Sequence, residues 1–355
     1  MKCKISIEER VLHFRQPAGT SRGVYTERRI WLLHVSCGGA TGVGECAPLP
    51  RLSCDDIPNY ADVLRRFCDD VERSGAIDYD ALRDYPSMLF GLETALRSLT
   101  GSCHQPPRLF DTAFSRGEAG IPINGLVWMG TYDEMRQRIE QKLREGYRCV
   151  KMKIGAIDFD DELALLRSIR QRFSPRDVEL RVDANGAFAM TAGGGGAQQA
   201  DDALYRLELL SQYALHSIEQ PIPAGQWANM AELCREAPLR IALDEELIGV
   251  NDPDQKRQLL NIIRPAFIVL KPSLHGGMAG VREWVDIARD MQIGSWITSA
   301  LESNVGLNAI AQLASDIYGD NITMAQGLGT GQLFTDNIDM PLEIRDACLW
   351  TSTRS

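Results

Sequence analysis

The stretch Arg148-Cys149-Val150-Lys151-Met152-Lys153 is a short apolar run closed by two lysines, and three acidic strand-ends follow it. These are Arg181-Val182-Asp183-Ala184-Asn185, Ser217-Ile218-Glu219-Gln220-Pro221 and Ala242-Leu243-Asp244-Glu245. A further lysine then ends the apolar run Phe267-Ile268-Val269-Leu270-Lys271-Pro272. From Asp183 onward the polar residues recur at intervals of 36, 25 and 27 residues. One β/α unit consumes a strand, two loops and a helix, so each polar residue occupies the same place in successive units. The pattern sets three carboxylates and two flanking amine positions at one mouth of a barrel.

Working outward, strand and helix patterns alternate from Ile121. A strand over 121–127 precedes a helix over 132–146 with Met135, Ile139 and Leu143 on one face. Strands at 148–153, 179–183, 214–219, 240–244, 266–271, 293–299 and 322–326 continue the series. Eight strands over about 205 residues match a (β/α)₈-type barrel. An open doubly wound sheet is the alternative, and it accounts less well for polar residues at consecutive strand ends. The long interval after Asp183 holds Ala192-Gly193-Gly194-Gly195-Gly196-Ala197-Gln198-Gln199, which reads as a surface insertion. It lacks the Lys and Ser/Thr of a phosphate-binding loop. The first 115 or so residues differ. Arg29–Val35 and Thr41–Cys46 flank a Gly-Gly turn as a hairpin, and two helical patterns follow, an α+β arrangement.

The chain has 355 residues, beyond the ~250–300 at which one core stops growing, so two domains are expected: an α+β domain over 1–118, with 336–355 packing back on it, and a barrel over 119–335. Its net charge of −10 excludes a nucleic-acid surface. No apolar run of about 18 residues spans a membrane, and the start lacks the apolar stretch of a signal peptide. A cytoplasmic protein is expected. Nine cysteines without a C-x-x-C pair point to reduced, buried thiols, Cys149 among them as a core residue.

Each polar residue has a bland explanation when taken singly. Asp183 could cap a helix, and a lysine at a strand end is usually solvated. Three carboxylates on neighbouring strands repel one another unless a cation lies between them. Oxygen-only ligands favour a hard ion, Mg²⁺ with Mn²⁺ as a substitute, so Asp183, Glu219 and Asp244 are the candidate metal ligands. A lysine beside further positive charge loses pKa, so Lys151 would depress Lys153 and suit it to take a proton from carbon. The implied reaction is proton abstraction next to a carboxylate on a small-molecule substrate.

This constellation resembles the enolase superfamily, in the muconate-lactonising-type subgroup. The resemblance covers the whole chain, including Gly42-Val43-Gly44-Glu45-Cys46-Ala47-Pro48-Leu49-Pro50 in the expected cap. It implies a modified (β/α)₇β TIM-like barrel under an N-terminal α+β capping domain. It also implies Lys151, Lys153 and Lys271 as catalytic residues. Within the subgroup the chain is most similar to the o-succinylbenzoate synthase family, on Arg181, the cap motif and Thr298-Ser299-Ala300-Leu301-Glu302-Ser303-Asn304-Val305-Gly306-Leu307. That similarity implies a menaquinone-pathway dehydration giving o-succinylbenzoate, with Lys153 as base and Lys271 as the cation facing the enolate. Arg181, Ser299, Ser303, Gly327 and Leu328 are expected to contact substrate, and 17–23 to form a mobile cap loop. An N-acylamino acid racemase or dipeptide epimerase shares the same frame. Gly327-Leu328-Gly329 stands where an L-Ala-D/L-Glu epimerase carries Asp-x-Asp, which weakens that option. A catalytically dead barrel would lack a ligand or a lysine, and none is missing.

Overall fold

The structure is a computed structural model that describes residues 3–20, 23–101, 107–190 and 202–352. The Gly-rich insertion over 192–199 lies outside the described residues, as do Ser21 and Arg22 of the expected cap loop.

Three antiparallel strands open the chain: β1 (Lys4–Thr20), β2 (Gly23–Cys37) and β3 (Ala40–Cys46). Helices α1 (Tyr60–Ser74) and α2 (Pro86–Thr100) pack on this sheet. Trp31, Leu33 and Val35 meet Val63, Leu64, Met88 and Leu92 in a core of their own. The Gly-x-Gly of β3 is a packing device, because a Cβ on Gly44 would stand 2.0 Å from the Gly91 carbonyl oxygen. Only glycine lets the strand lie so near the helix. Cys3 and Cys37 form a disulfide across β1 and β2, which corrects the expectation that all thiols are reduced. The two are 34 residues apart, and only the hairpin register, with Lys4 opposite Ser36, makes them neighbours. Among the described residues six other cysteines are free, Cys149 buried among them.

After β4 (Ile121–Pro122) the alternating series runs β5 (Gly125–Val127), α3 (Tyr132–Arg144), β6 (Cys149–Lys153), α4 (Phe159–Arg170), β7 (Glu179–Asp183) and α5 (Ala203–Ser211). It continues through β8 (Ser217–Glu219), α6 (Trp227–Glu236), β9 (Ile241–Leu243), α7 (Pro253–Ile263), β10 (Phe267–Leu270), α8 (Gly277–Asp290), β11 (Gly294–Ile297) and α9 (Asn304–Tyr318). Strands β5 to β11 form one parallel sheet in sequence order. The strand expected over 322–326 is not one. Two isolated parallel bridges, Thr298 with Gly327 and Ile123 with Gln326, stand in its place. They join the two edges and close the curl into a TIM-like barrel. Helix starts are chemically marked: Thr131 and Glu134 form a capping box on α3, and Asp158, Asp202, Asp252 and Ser303 cap α4, α5, α7 and α9. Each cap satisfies amide donors that a helix leaves unpaired.

The cap meets the barrel through buried acids. Glu45 at the end of β3 accepts from Ser303 N and Gly306 N, both at 2.8 Å, capping α9. Glu93 on α2 accepts from Met278 N and Ala279 N at the start of α8. A separate apolar cluster joins Leu12, Phe14 and Tyr25 of the hairpin to Leu274, Leu301 and Phe334 near the barrel mouth. The tail forms β12 (Leu342–Arg345) and β13 (Cys348–Thr351), which pair with β4. Asp336 accepts from His13 N at 2.7 Å. No helix among the described residues is long and apolar enough to cross a membrane.

Candidate active site

The parallel register puts Lys153 opposite Asp183, and Asp183 opposite Glu219. Glu219 is in turn opposite Ala242, two residues short of Asp244. Side chains two apart on a strand share a face, so Lys151 and Lys153 point the same way, as do Arg181 and Asp183. Lys271 follows β10 directly. The structure therefore gathers Lys151, Lys153, Asp183, Glu219, Asp244 and Lys271 at the C-terminal end of the sheet, where barrel enzymes place their chemistry.

The three acids are 1–2% exposed, and each meets an ammonium. Lys151 Nζ lies 2.7 Å from both Glu219 carboxylate oxygens and 2.8 Å from Asp183 Oδ2. Lys153 Nζ donates to Asp183 Oδ2 at 3.3 Å and to Asn185 Oδ1 at 2.6 Å. Lys271 Nζ donates to both oxygens of Asp244 at 2.6 and 2.5 Å. Buried charges persist only when paired in this manner. Among the described residues no three acids, histidines or cysteines are grouped as a finished metal-ligand set. Each carboxylate is paired with an ammonium.

Electrostatics follow this pairing. Burial pushes the Asp183 carboxyl up, but Lys151 and Lys153 outweigh it and hold the group below the usual range. Burial also raises Asp244, and Lys271 reverses that. Glu219 is raised, by burial first and by the Asp183 charge next. Burial opposes the charge of Lys151 and Lys271, yet the surrounding carboxylates lift both above the ordinary lysine range. The charged form of Lys151 is favoured because its nearest neighbours are anions.

The residues expected to contact substrate are each engaged by protein partners. Arg181 is buried one step below Asp183, donating to Glu179 Oε1 at 2.7 Å and to the Ala325 carbonyl at 2.9 Å, with the Trp296 ring 4.5 Å away. It braces the barrel interior rather than lining the mouth. Ser303 is fully buried with its hydroxyl on Glu45, and Ser299 donates to Glu302 Oε2 at 2.6 Å. Leu328 belongs to the main core, and Gly327 accepts from Thr298 Oγ1 and Ser299 N. These positions hold the seventh and eighth strand ends in place. Pro17–Thr20 is part of β1 and Gly23 begins β2, so the described part of the expected cap loop is strand.

Three neighbours carried no assigned role in the sequence reading. Asn185 bridges Lys153 to Glu245, donating from Nδ2 to Glu245 Oε1 at 2.9 Å. It sits at a left-handed φ of 46°, a conformation that asparagine tolerates better than most residues. The Trp128 ring faces the Lys153 ammonium at 5.8 Å. Gln220 accepts from Asp244 N and Glu246 N, both at 3.2 Å, fixing the turn that presents Asp244. The signal for Asn185 was its place two residues after Asp183. Trp128 gave none.

Comparison with known proteins agrees with this geometry. A family profile described as Enolase C-terminal domain-like matches residues 134–355, and one described as MenC, N-terminal domain, matches 20–99. The o-succinylbenzoate synthase of Desulfotalea psychrophila is 45% identical over 98% of this chain and 99% of its own length. The crystal structure of MenC from the same organism superposes with a TM-score of 0.79 at 40% identity, covering 99% of this chain and 100% of that one. The L-Ala-D/L-Glu epimerase of Bacillus subtilis, 18% identical and covering 99% and 97%, reaches a TM-score of 0.78 and shares the fold.

Proposed function

Because the chain belongs to the enolase superfamily and, within it, to the o-succinylbenzoate synthase family, we propose that it dehydrates 2-succinyl-6-hydroxy-2,4-cyclohexadiene-1-carboxylate to o-succinylbenzoate. The reaction is a carbon–oxygen lyase step of menaquinone synthesis. Two lysines flanking three acid-bearing strands carry this reading, Lys153 ending β6 and Lys271 following β10. An all-oxygen donor set whose members already attract cations fits a hard divalent ion. Mg²⁺ held by Asp183, Glu219 and Asp244 would supply positive charge to the substrate carboxylate as the α-carbon loses its proton, and would free Lys153 and Lys271 from those acids.

Lys153 takes the α-proton and then returns it to the departing hydroxyl. Asn185 Oδ1, 2.6 Å from Nζ, orients the amine for both transfers. Lys271, on the far flank, faces the negative charge that develops on the ring carboxylate. Lys151 keeps Asp183 and Glu219 neutralised from beneath. Expulsion of water leaves an aromatic ring, so the main demand on the site is to stabilise the enolate.

Absorbance at the aromatic product band, followed with substrate and Mg²⁺, tests this reading. Mg²⁺-dependent aromatisation is expected. Loss of α-deuterium from N-acyl amino acids without aromatisation would replace it with racemase chemistry.

A further inference from the structure

Lys271 stands one residue beyond its strand, where no neighbouring strand pairs with its backbone in the sheet register. Its amide N–H instead donates to the Nδ1 atom of His275 at 2.8 Å. The same histidine returns the contact, since His275 N donates to the Lys271 carbonyl at 3.0 Å. The carbonyl is shared with Leu274 N, which donates to it at 2.8 Å, whereas the Lys271 amide is held by the His275 ring. Gly276 and Gly277 follow at φ 91° and 69°, a left-handed pair that turns the chain into α8 and seats the imidazole 99% buried.

We propose that His275 is a positioning residue for Lys271, a neutral ring whose Nδ1 clamps the backbone from which the ammonium is aimed. This rests on the role given to Lys271 above. The donor here is an amide, which has only a proton to give, so Nδ1 must be unprotonated and Nε2 carries the hydrogen. Burial favours the neutral ring too. Nε2 has no hydrogen-bond partner among the described residues, so only one end of the imidazole is used. A side chain with an acceptor at the Nδ1 position should therefore replace it, and one with an acceptor at the Nε2 position should not. Asparagine and glutamine differ in this respect.

The test compares His275→Asn, His275→Gln and His275→Leu in the full chain, assayed for aromatisation with Mg²⁺ and melted thermally. H275L and H275Q should lower kcat on the order of 10- to 100-fold with KM changed less than about two-fold, because a displaced Lys271 acts on the transition state more than on binding. H275N should recover to within a few-fold of the parent. Should H275L not fold, the Asn and Gln pair decides the matter. Equal kcat in H275N and H275Q at equal melting temperature overturns the proposal, as does an unchanged kcat in H275L. Ring ¹⁵N resonances, assigned by their loss in H275N, give a readout independent of turnover. An acceptor-type Nδ1 supports the clamp, and a protonated Nδ1 overturns it. A parent chain that fails to aromatise the substrate while showing the acceptor-type Nδ1 overturns the functional reading and leaves the clamp standing.

Discussion

Lys271 Nζ touches both carboxylate oxygens of Asp244, at 2.6 and 2.5 Å, so the amine and the acid form one charge-balanced unit at the barrel mouth. Removing the amine should leave a buried carboxylate without its cation. Lys271→Ala is expected to lose about 3–5 kcal/mol in metal-free buffer, read by urea unfolding, and to regain much of it with Mg²⁺. A deficit indifferent to Mg²⁺ would separate Asp244 from the metal.

Lys153→Ala should abolish turnover, lowering the rate by at least about 10²–10⁴-fold as expected for loss of a general base. The far-ultraviolet circular dichroism should stay unchanged. Retention of the parent rate would remove Lys153 from the chemistry.

Asp183→Asn should weaken Mg²⁺ binding. At about 100 times its dissociation constant a ligand stabilises a fold by roughly 2.7 kcal/mol, so the parent chain should melt measurably higher in Mg²⁺ while the variant moves little. Calorimetric titration with MgCl₂ alone provides a second reading. Equal affinity in both chains would contradict the ligand assignment.

Asn185→Gly tests the arm that holds Lys153. Glycine keeps the left-handed backbone without strain and removes only the amide. The expected result is a fall in kcat approaching 10²-fold from misplacement of the base, with the melting temperature almost unchanged. Stopped turnover with a large loss of stability would instead indicate a structural role.

Glu93 sets a pH dependence at the joint between α2 and α8. Burial raises its pKa to about 7, against two backbone N–H donors that lower it. Between the unfolded value near 4.5 and about 7 the folded chain binds the extra proton more tightly. This contribution is complete below the unfolded value and is lost as pH rises through 7. Its size is on the order of 3 kcal/mol by linkage. Glu93→Gln should flatten the stability profile over that window, measured by urea midpoints from pH 4.5 to 8. An unchanged slope would assign the dependence to another group.

The polar strand-ends were legible because a β/α repeat returns the chain to the same mouth once per unit, so linear spacing becomes spatial convergence. Lys151, Lys153, Asp183, Glu219, Asp244 and Lys271 all follow this rule. Arg181 shows where the rule stops. Its distance from Asp183 in sequence is two residues, which gives the face but not the height, and one step down the strand takes it out of the mouth and under it. Ser303 was ambiguous for a different reason. A serine before a helix is equally suited to a substrate and to a cap, and Glu45, 258 residues away, makes it a cap and a latch. The disulfide likewise depended on a hairpin register that cysteine spacing does not encode.

The amino-acid order alone therefore determined the barrel, its separate cap and the set of acids and amines at one end, since periodicity and strand-end chemistry are local properties. Which ammonium neutralises which carboxylate, which polar groups are consumed in bracing, and how the cap is fastened were decided only in three dimensions. Those outcomes depend on long-range contacts in a low-dielectric interior, where a neighbour a few ångströms away outweighs any neighbour in sequence.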